Sequence, residues 1–78
     1  MQTFFVQIKC ALGRTYEVAS ALAEAEIASE IYSTAGDCDI LAKFYVEHDV
    51  DIGHFVGLRV QVIPGILDTR TILTFKAF

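Results

Sequence analysis

The sequence predicts an α+β domain in which strand, helix, strand, strand, helix and strand follow one another. Three observations carry this. Residues 3–10 alternate apolar and polar with a period of two. From Arg14 the period changes, with Val18, Ala21, Leu22 and Ala25 forming one stripe of a helix. From Cys38 to Glu47 the alternation returns in its clearest form. The order β-α-β-β-α-β gives a four-stranded antiparallel sheet with two helices on one face, the ferredoxin-like split β-α-β arrangement.

In the first strand, Phe4, Val6, Ile8 and Cys10 point one way and Phe5, Gln7 and Lys9 the other. Ala11-Leu12-Gly13 ends it. Ala and Glu dominate the first helix, both good helix formers; Thr15 is expected to cap its start, and it should end near Ala25 or Glu26. Residues 27–35 have strand composition, with Ile27, Ile31, Tyr32 and Thr34. Gly36 then makes a turn. In the third strand Ile40, Ala42, Phe44 and Val46 form one face and Leu41, Lys43 and Tyr45 the other.

Asp49 or Asp51 is placed to cap a second helix running to about Val62. This helix is apolar nearly all round, which suits packing on two sides, and Gly53 and Gly57 weaken it. Pro64-Gly65 stops it, and residues 66–78 form the last strand.

In this topology the first and third strands are antiparallel neighbours at the sheet centre. Setting Cys10 opposite Cys38 brings Ile8 to Ile40, Val6 to Ala42 and Phe4 to Phe44, and keeps every inward residue inward, as slips of two residues also would. The same register sets Lys9 against Asp39 as an opposite-charge pair. The two thiols come close, but a packed, reduced pair is the expectation. The outer face carries Phe5, Gln7, Leu41, Lys43 and Tyr45, and a face of this kind favours dimerisation.

Size and composition agree. With 78 residues the chain is one domain, 1–78, yet 54% of it is hydrophobic and mean hydropathy is +0.47. That surplus points to an oligomer. Net charge is −4 and the six Lys and Arg are scattered, which disfavours direct nucleic-acid binding. No apolar run reaches membrane-spanning length and no secretory signal pattern opens the chain, so a cytoplasmic protein with no membrane partner is expected.

The candidate functional stretch is Tyr32–Lys43. Gly36 takes positive φ without a Cβ clash, and Asp37 and Asp39 flank Cys38. A short turn with a glycine and two carboxylates offers backbone amides and acceptor oxygens together, the parts that hold the carboxylate and ammonium of an amino acid. Taken alone, such a turn is ordinary hairpin chemistry. No catalytic set is expected: His48 and His54 fall at the opposite end of the sheet from Cys10 and Cys38, so neither a nucleophile–base pair nor a metal site forms. Asp37 and Asp39 alone supply too few ligands for a hard cation. No cofactor is implied and there is no phosphate loop.

Two stretches, Thr34-Ala-Gly-Asp-Cys-Asp-Ile-Leu and Ile63-Pro-Gly-Ile-Leu-Asp-Thr-Arg-Thr-Ile-Leu-Thr, resemble the effector-binding (RAM) domain of the Lrp/AsnC family of transcription regulators, over nearly the whole chain. The resemblance implies sheet-to-sheet homodimers, higher oligomers up to octameric rings, and a free amino acid bound at the contact between dimers. Carried over by position, Thr34, Gly36, Asp37 and Asp39 match the ligand-binding turn, and Thr71, Ile72 and Leu73 match last-strand positions tied to effector response. Backbone amides around Gly36 would meet the ligand carboxylate, and Asp39, ahead of Asp37, the ammonium. Tyr32, Ile40 and Ile72 would border the side-chain pocket. The family's usual helix-turn-helix is absent from this sequence, so a stand-alone domain is expected if Met1 is the true start, with any DNA control arising by assembly with a full-length DNA-binding relative. Two other readings share the topology: a dimeric α+β-barrel enzyme with a cavity lined by His54, Tyr16 or Tyr45, and a structural oligomerising adaptor.

Overall fold

The computed structural model describes Met1–Phe78. Its elements are β1 (Gln2–Cys10), α1 (Thr15–Ala25), β2 (Glu30–Ser33), β3 (Ile40–Val46), α2 (Ile52–Phe55), which continues as a π-helical turn over Val56–Val60, and β4 (Ile66–Leu73). The antiparallel sheet has the order β2-β3-β1-β4, with β1 and β3 central. The β1–β3 register pairs Phe4 with Phe44, Val6 with Ala42 and Ile8 with Ile40, the register expected from the sequence.

The inner face of these central strands is the core. Phe4, Val6, Ile8, Ile40, Ala42 and Phe44 are fully buried under Val18 and Leu22 of α1 and Val56 and Val60 after α2. Phe4 stacks on Phe44 with ring centroids 5.0 Å apart and planes 9° from parallel. Phe55 meets both rings edge-on, at 6.0 Å and 5.8 Å. Such aromatic pairs add roughly 0.5–1.5 kcal/mol beyond the area they bury. No polar or charged residue is buried, so hydrophobic burial holds the layers together without buried ion pairs.

Several expected details differ. Thr15 is the first residue of α1 rather than its cap; Arg14 holds the cap position and no side chain caps the helix. The helix instead gains the Arg14–Glu17 ion pair and ends at Glu26, whose φ of 56° lies in the left-handed region. β2 is shorter than residues 27–35, and β3 begins at Ile40 rather than Cys38, because the intervening chain turns away from the ladder. Asp51 caps α2, accepting the His54 N–H at 3.1 Å.

That second helix is short and then widens: Gln61 N–H donates to the Val56 carbonyl, five residues back, at 2.9 Å. The widened turn brings Val56 and Val60 onto the core although it contains Gly57, a weak helix former. Gly65 closes the following loop with φ of 99°, and a Cβ there would come within 3.1 Å of Val18 Cγ2. β4 ends at Leu73, and Thr74 tethers the tail by donating its hydroxyl to the Thr3 carbonyl at 2.7 Å.

Lys9 and Asp39 do not form the expected ion pair. Asp39 turns its carboxylate back onto the main chain of β1 instead. Both cysteines are free thiols, Cys10 buried and Cys38 half-buried.

Candidate functional site

The β2–β3 connection, residues 34–39, is built by its own hydrogen bonds. Thr34 N–H donates to the Asp39 carbonyl at 2.9 Å, closing the loop, and the Thr34 hydroxyl donates to the Cys38 carbonyl at 2.8 Å. Asp39 fixes the loop to the sheet from both sides of its own backbone. Its N–H donates to the Ile8 carbonyl at 2.9 Å, and its Oδ2 accepts the Cys10 N–H at 2.8 Å. Gly36 has φ of 103°, where a side chain would be strained, and no heavy atom stands within 4 Å of its missing Cβ.

This arrangement leaves the N–H groups of Ala35, Gly36, Asp37 and Cys38 without an acceptor in the chain. They rim the turn beside Asp37, with Ala35, Gly36 and Asp37 exposed and Cys38 half-buried. Successive free amides in a tight turn attract an anion, and a neighbouring carboxylate attracts a cation.

The expected site residues divide into groups. Thr34, Gly36, Asp37 and Asp39 come together in the turn. Ile40 is fully buried, its side chain among the core residues rather than at a pocket edge. Thr71, Ile72 and Leu73 lie elsewhere: they pair with Val6, Phe5 and Phe4, toward the far end of β1 from Cys10. At about 3.3 Å per residue, Phe4 and Cys10 are roughly 20 Å apart. Within one chain, these two groups do not border the same small molecule. Tyr32 is exposed on the outer face and donates its hydroxyl to Glu30.

Of the residues that do join the turn, the sequence singles out only Lys9, and that as a partner for Asp39. A cleft of about 340 Å³ is lined by Asp37 and Cys38 from the turn, Gln7 and Lys9 from β1, and Asp68 and Arg70 from β4. The β1–β4 register sets Lys9 opposite Asp68 and Gln7 opposite Arg70. A shift in that register between Lys9 and Cys10 is what the alternation pattern alone does not announce.

Electrostatics mark two further places. Burial pushes the Cys10 thiol above its ordinary range, the nearby Asp39 carboxylate adds to this, and the Thr15 hydroxyl pulls the other way. On the outer face, Lys43 Nζ lies 3.3 Å from a Glu30 oxygen, 5.1 Å from the Tyr45 ring centre and 5.9 Å from that of Phe5. Hydrogen bonds from Tyr32 and Lys43 hold the Glu30 carboxyl below its usual range. Hydrogen bonds with Tyr45 and Glu30 hold Lys43 above its own.

A larger cleft of about 790 Å³ opens at the other end, between Phe5, Tyr45, His48 and the tail. It contains Tyr45 but neither His54 nor Tyr16. No three His, Cys, Asp or Glu side chains converge as a metal-binding set, and no helix is long and apolar enough to cross a membrane.

A ferredoxin-like sheet, open on one face and ending in a turn of free amides, defines a small α+β domain. The chain belongs to the Lrp/AsnC ligand-binding domain family, whose model matches residues 3–78. It is 33% identical over 72 residues to the HTH-type transcriptional regulator FL11 of Pyrococcus horikoshii, a match covering 92% of this chain and 47% of that protein. It thus spans about half the length of the curated relatives it matches. TTHA0845 from Thermus thermophilus superposes with a TM-score of 0.89 at 28% identity, over 100% of this chain and 98% of that one. The transcriptional regulator NMB0573 of Neisseria meningitidis, solved as a complex with L-Met, shares the fold: its TM-score is 0.79 at 17% identity, over 96% of this chain and 50% of that one.

Proposed function

We propose that this domain is a non-enzymatic sensor that binds a free amino acid at the β2–β3 turn. The observation that carries the reading is the run of unpartnered amides from Ala35 to Cys38 beside Asp37. The ligand carboxylate meets these amides and the ammonium meets Asp37 by charge-assisted hydrogen bonds. The sequence favoured Asp39 for the ammonium. Its bond to Cys10 makes it the residue that positions the turn, and Asp37, which faces the cleft, takes the ammonium. Membership of a ligand-binding family and the L-Met complex of a regulator with this fold support an amino acid as the ligand.

The domain works by assembly. Phe5, Leu41, Tyr45 and Ile72 leave apolar surface on the outer face, with Tyr45 45% and Ile72 43% exposed, which favours a sheet-to-sheet homodimer. In a further assembly of dimers, Thr71–Leu73 of one chain would approach the turn of another and complete the pocket. Effector binding would alter this assembly, and with it the action of a DNA-binding relative. The net charge of −4 and the scattered cations favour this route over direct DNA contact.

Thermal melting against each of the twenty amino acids at millimolar concentration tests the reading. A ligand bound only by the folded form at a hundredfold excess over its Kd stabilises by about 2.7 kcal/mol, so a selective rise in midpoint is expected. An oligomer whose midpoint no amino acid moves would overturn the sensor and leave a structural adaptor.

A further inference from the structure

We infer that the cleft beside the turn selects amino acids whose side chain ends in a carboxylate or carboxamide. The inference rests on the turn being the amino-acid site. Of the six residues lining the cleft only Cys38 is hydrophobic; the others are Gln7, Lys9, Asp37, Asp68 and Arg70. Its volume of about 340 Å³ lies at the small end of the range for small-molecule pockets, roughly 300–1,000 Å³.

The charges in this cleft are not spent on one another. The ion pairs of the chain are Arg14–Glu17 and Lys43–Glu30. Lys9 and Asp68 face each other across β1 and β4, yet no oxygen of Asp68 comes within 4.0 Å of the ammonium of Lys9. Arg70 and Asp37 are likewise without an ion-pair partner. Asp68 uses Oδ1 to accept the N–H of Thr69 at 2.9 Å, leaving Oδ2 free. Two cations and two carboxylates thus line one small cleft at the turn end of the outer face, beyond the apolar Phe5, Tyr45 and Ile72 where the proposed dimer contact lies, and there each is available to a guest.

With the α-carboxylate on the turn amides and the ammonium on Asp37, the side chain extends over the β1 and β4 residues. There it meets Lys9 and the Arg70 guanidinium, a planar fork that matches a carboxylate or an amide oxygen. Gln7 supplies a further donor and acceptor. A thioether or alkyl side chain of the same length would displace water from these groups without replacing its hydrogen bonds, which costs affinity.

L-glutamate, L-glutamine and L-methionine have unbranched side chains of similar length and differ in the terminal group, so calorimetric titration of the full chain with each isolates the chemistry. Glutamate and glutamine are expected to bind about tenfold or more tightly than methionine, the scale of one hydrogen bond to a charged group. Arg70→Met and Lys9→Met, both at exposed positions, are expected to erase that preference while sparing methionine binding. Asp37→Asn is expected to weaken all three together. Methionine binding as tightly as glutamate and glutamine, or a preference that survives both Met substitutions, would overturn the inference and leave the turn site standing. Binding of none of the twenty amino acids would instead remove the sensor itself.

Discussion

Asp39→Ala separates holding the turn from contacting the ligand. The carboxylate accepts the Cys10 N–H at 2.8 Å in a partly buried position, between the end of β1 and the start of β3. A hydrogen bond to a charged group contributes about 1.5–3 kcal/mol, and its loss also leaves the Cys10 N–H without a partner. Taking about 2 kcal/mol and roughly 4–8 °C per kcal/mol for a domain of this size, the melting midpoint should fall by roughly 8–16 °C. Asp39→Asn keeps an acceptor oxygen in place and should lose much less. The two variants share a second signature: removing the negative charge beside Cys10 should lower its thiol pKa and speed its alkylation at alkaline pH. Scanning calorimetry and thiol-reaction rates measure both. An Ala variant that melts with the wild type would refute the positioning role.

Other expectations follow from the same contacts. Phe44→Ala removes the ring stacked on Phe4 and touched by Phe55, and should cost about 3–5 kcal/mol, read from denaturant unfolding. Cys10 is buried with its thiol pKa raised, so the folded chain keeps that proton where the unfolded chain releases it. Its contribution to stability is complete below the unfolded thiol pKa of about 8.5 and is lost as pH rises through the folded value, which melting across that range would follow. Phe5→Glu should dissociate the proposed sheet-to-sheet dimer, seen as a lower mass by light scattering; an unchanged mass would place the interface elsewhere.

Much of the fold was legible because its information is local and periodic. The alternation in β1 and β3 told which side chains go inward and limited how the central strands pair to registers two residues apart. Helix ends were less legible. Thr15 has the chemistry of a cap, but the chain enters the helix one residue earlier, and its hydroxyl lies by the Cys10 thiol instead. The π-helical turn leaves no composition signal, since it is imposed by seating Val56 and Val60 on the sheet. At the candidate site, Gly36 and Asp37 were visible as turn chemistry. The part played by Asp39 was not, because a carboxylate reads alike whether it faces Lys9, a ligand or a main-chain amide. Asp68 and Arg70 were missed because only the pairing of β4 against β1, with its irregularity at Lys9 and Cys10, brings them to the turn, and Lys9 was read as a partner for Asp39 rather than as part of the cleft.

The most direct test of the amino-acid site is to follow backbone amide resonances while titrating the amino acid that most raises the melting midpoint. The amides of residues 35–38 are expected to move most, since they donate to nothing in the chain, with smaller changes at Lys9 and Asp68. Shifts confined to Tyr45, His48 and the tail, around the cleft at the far end of the sheet, would contradict it.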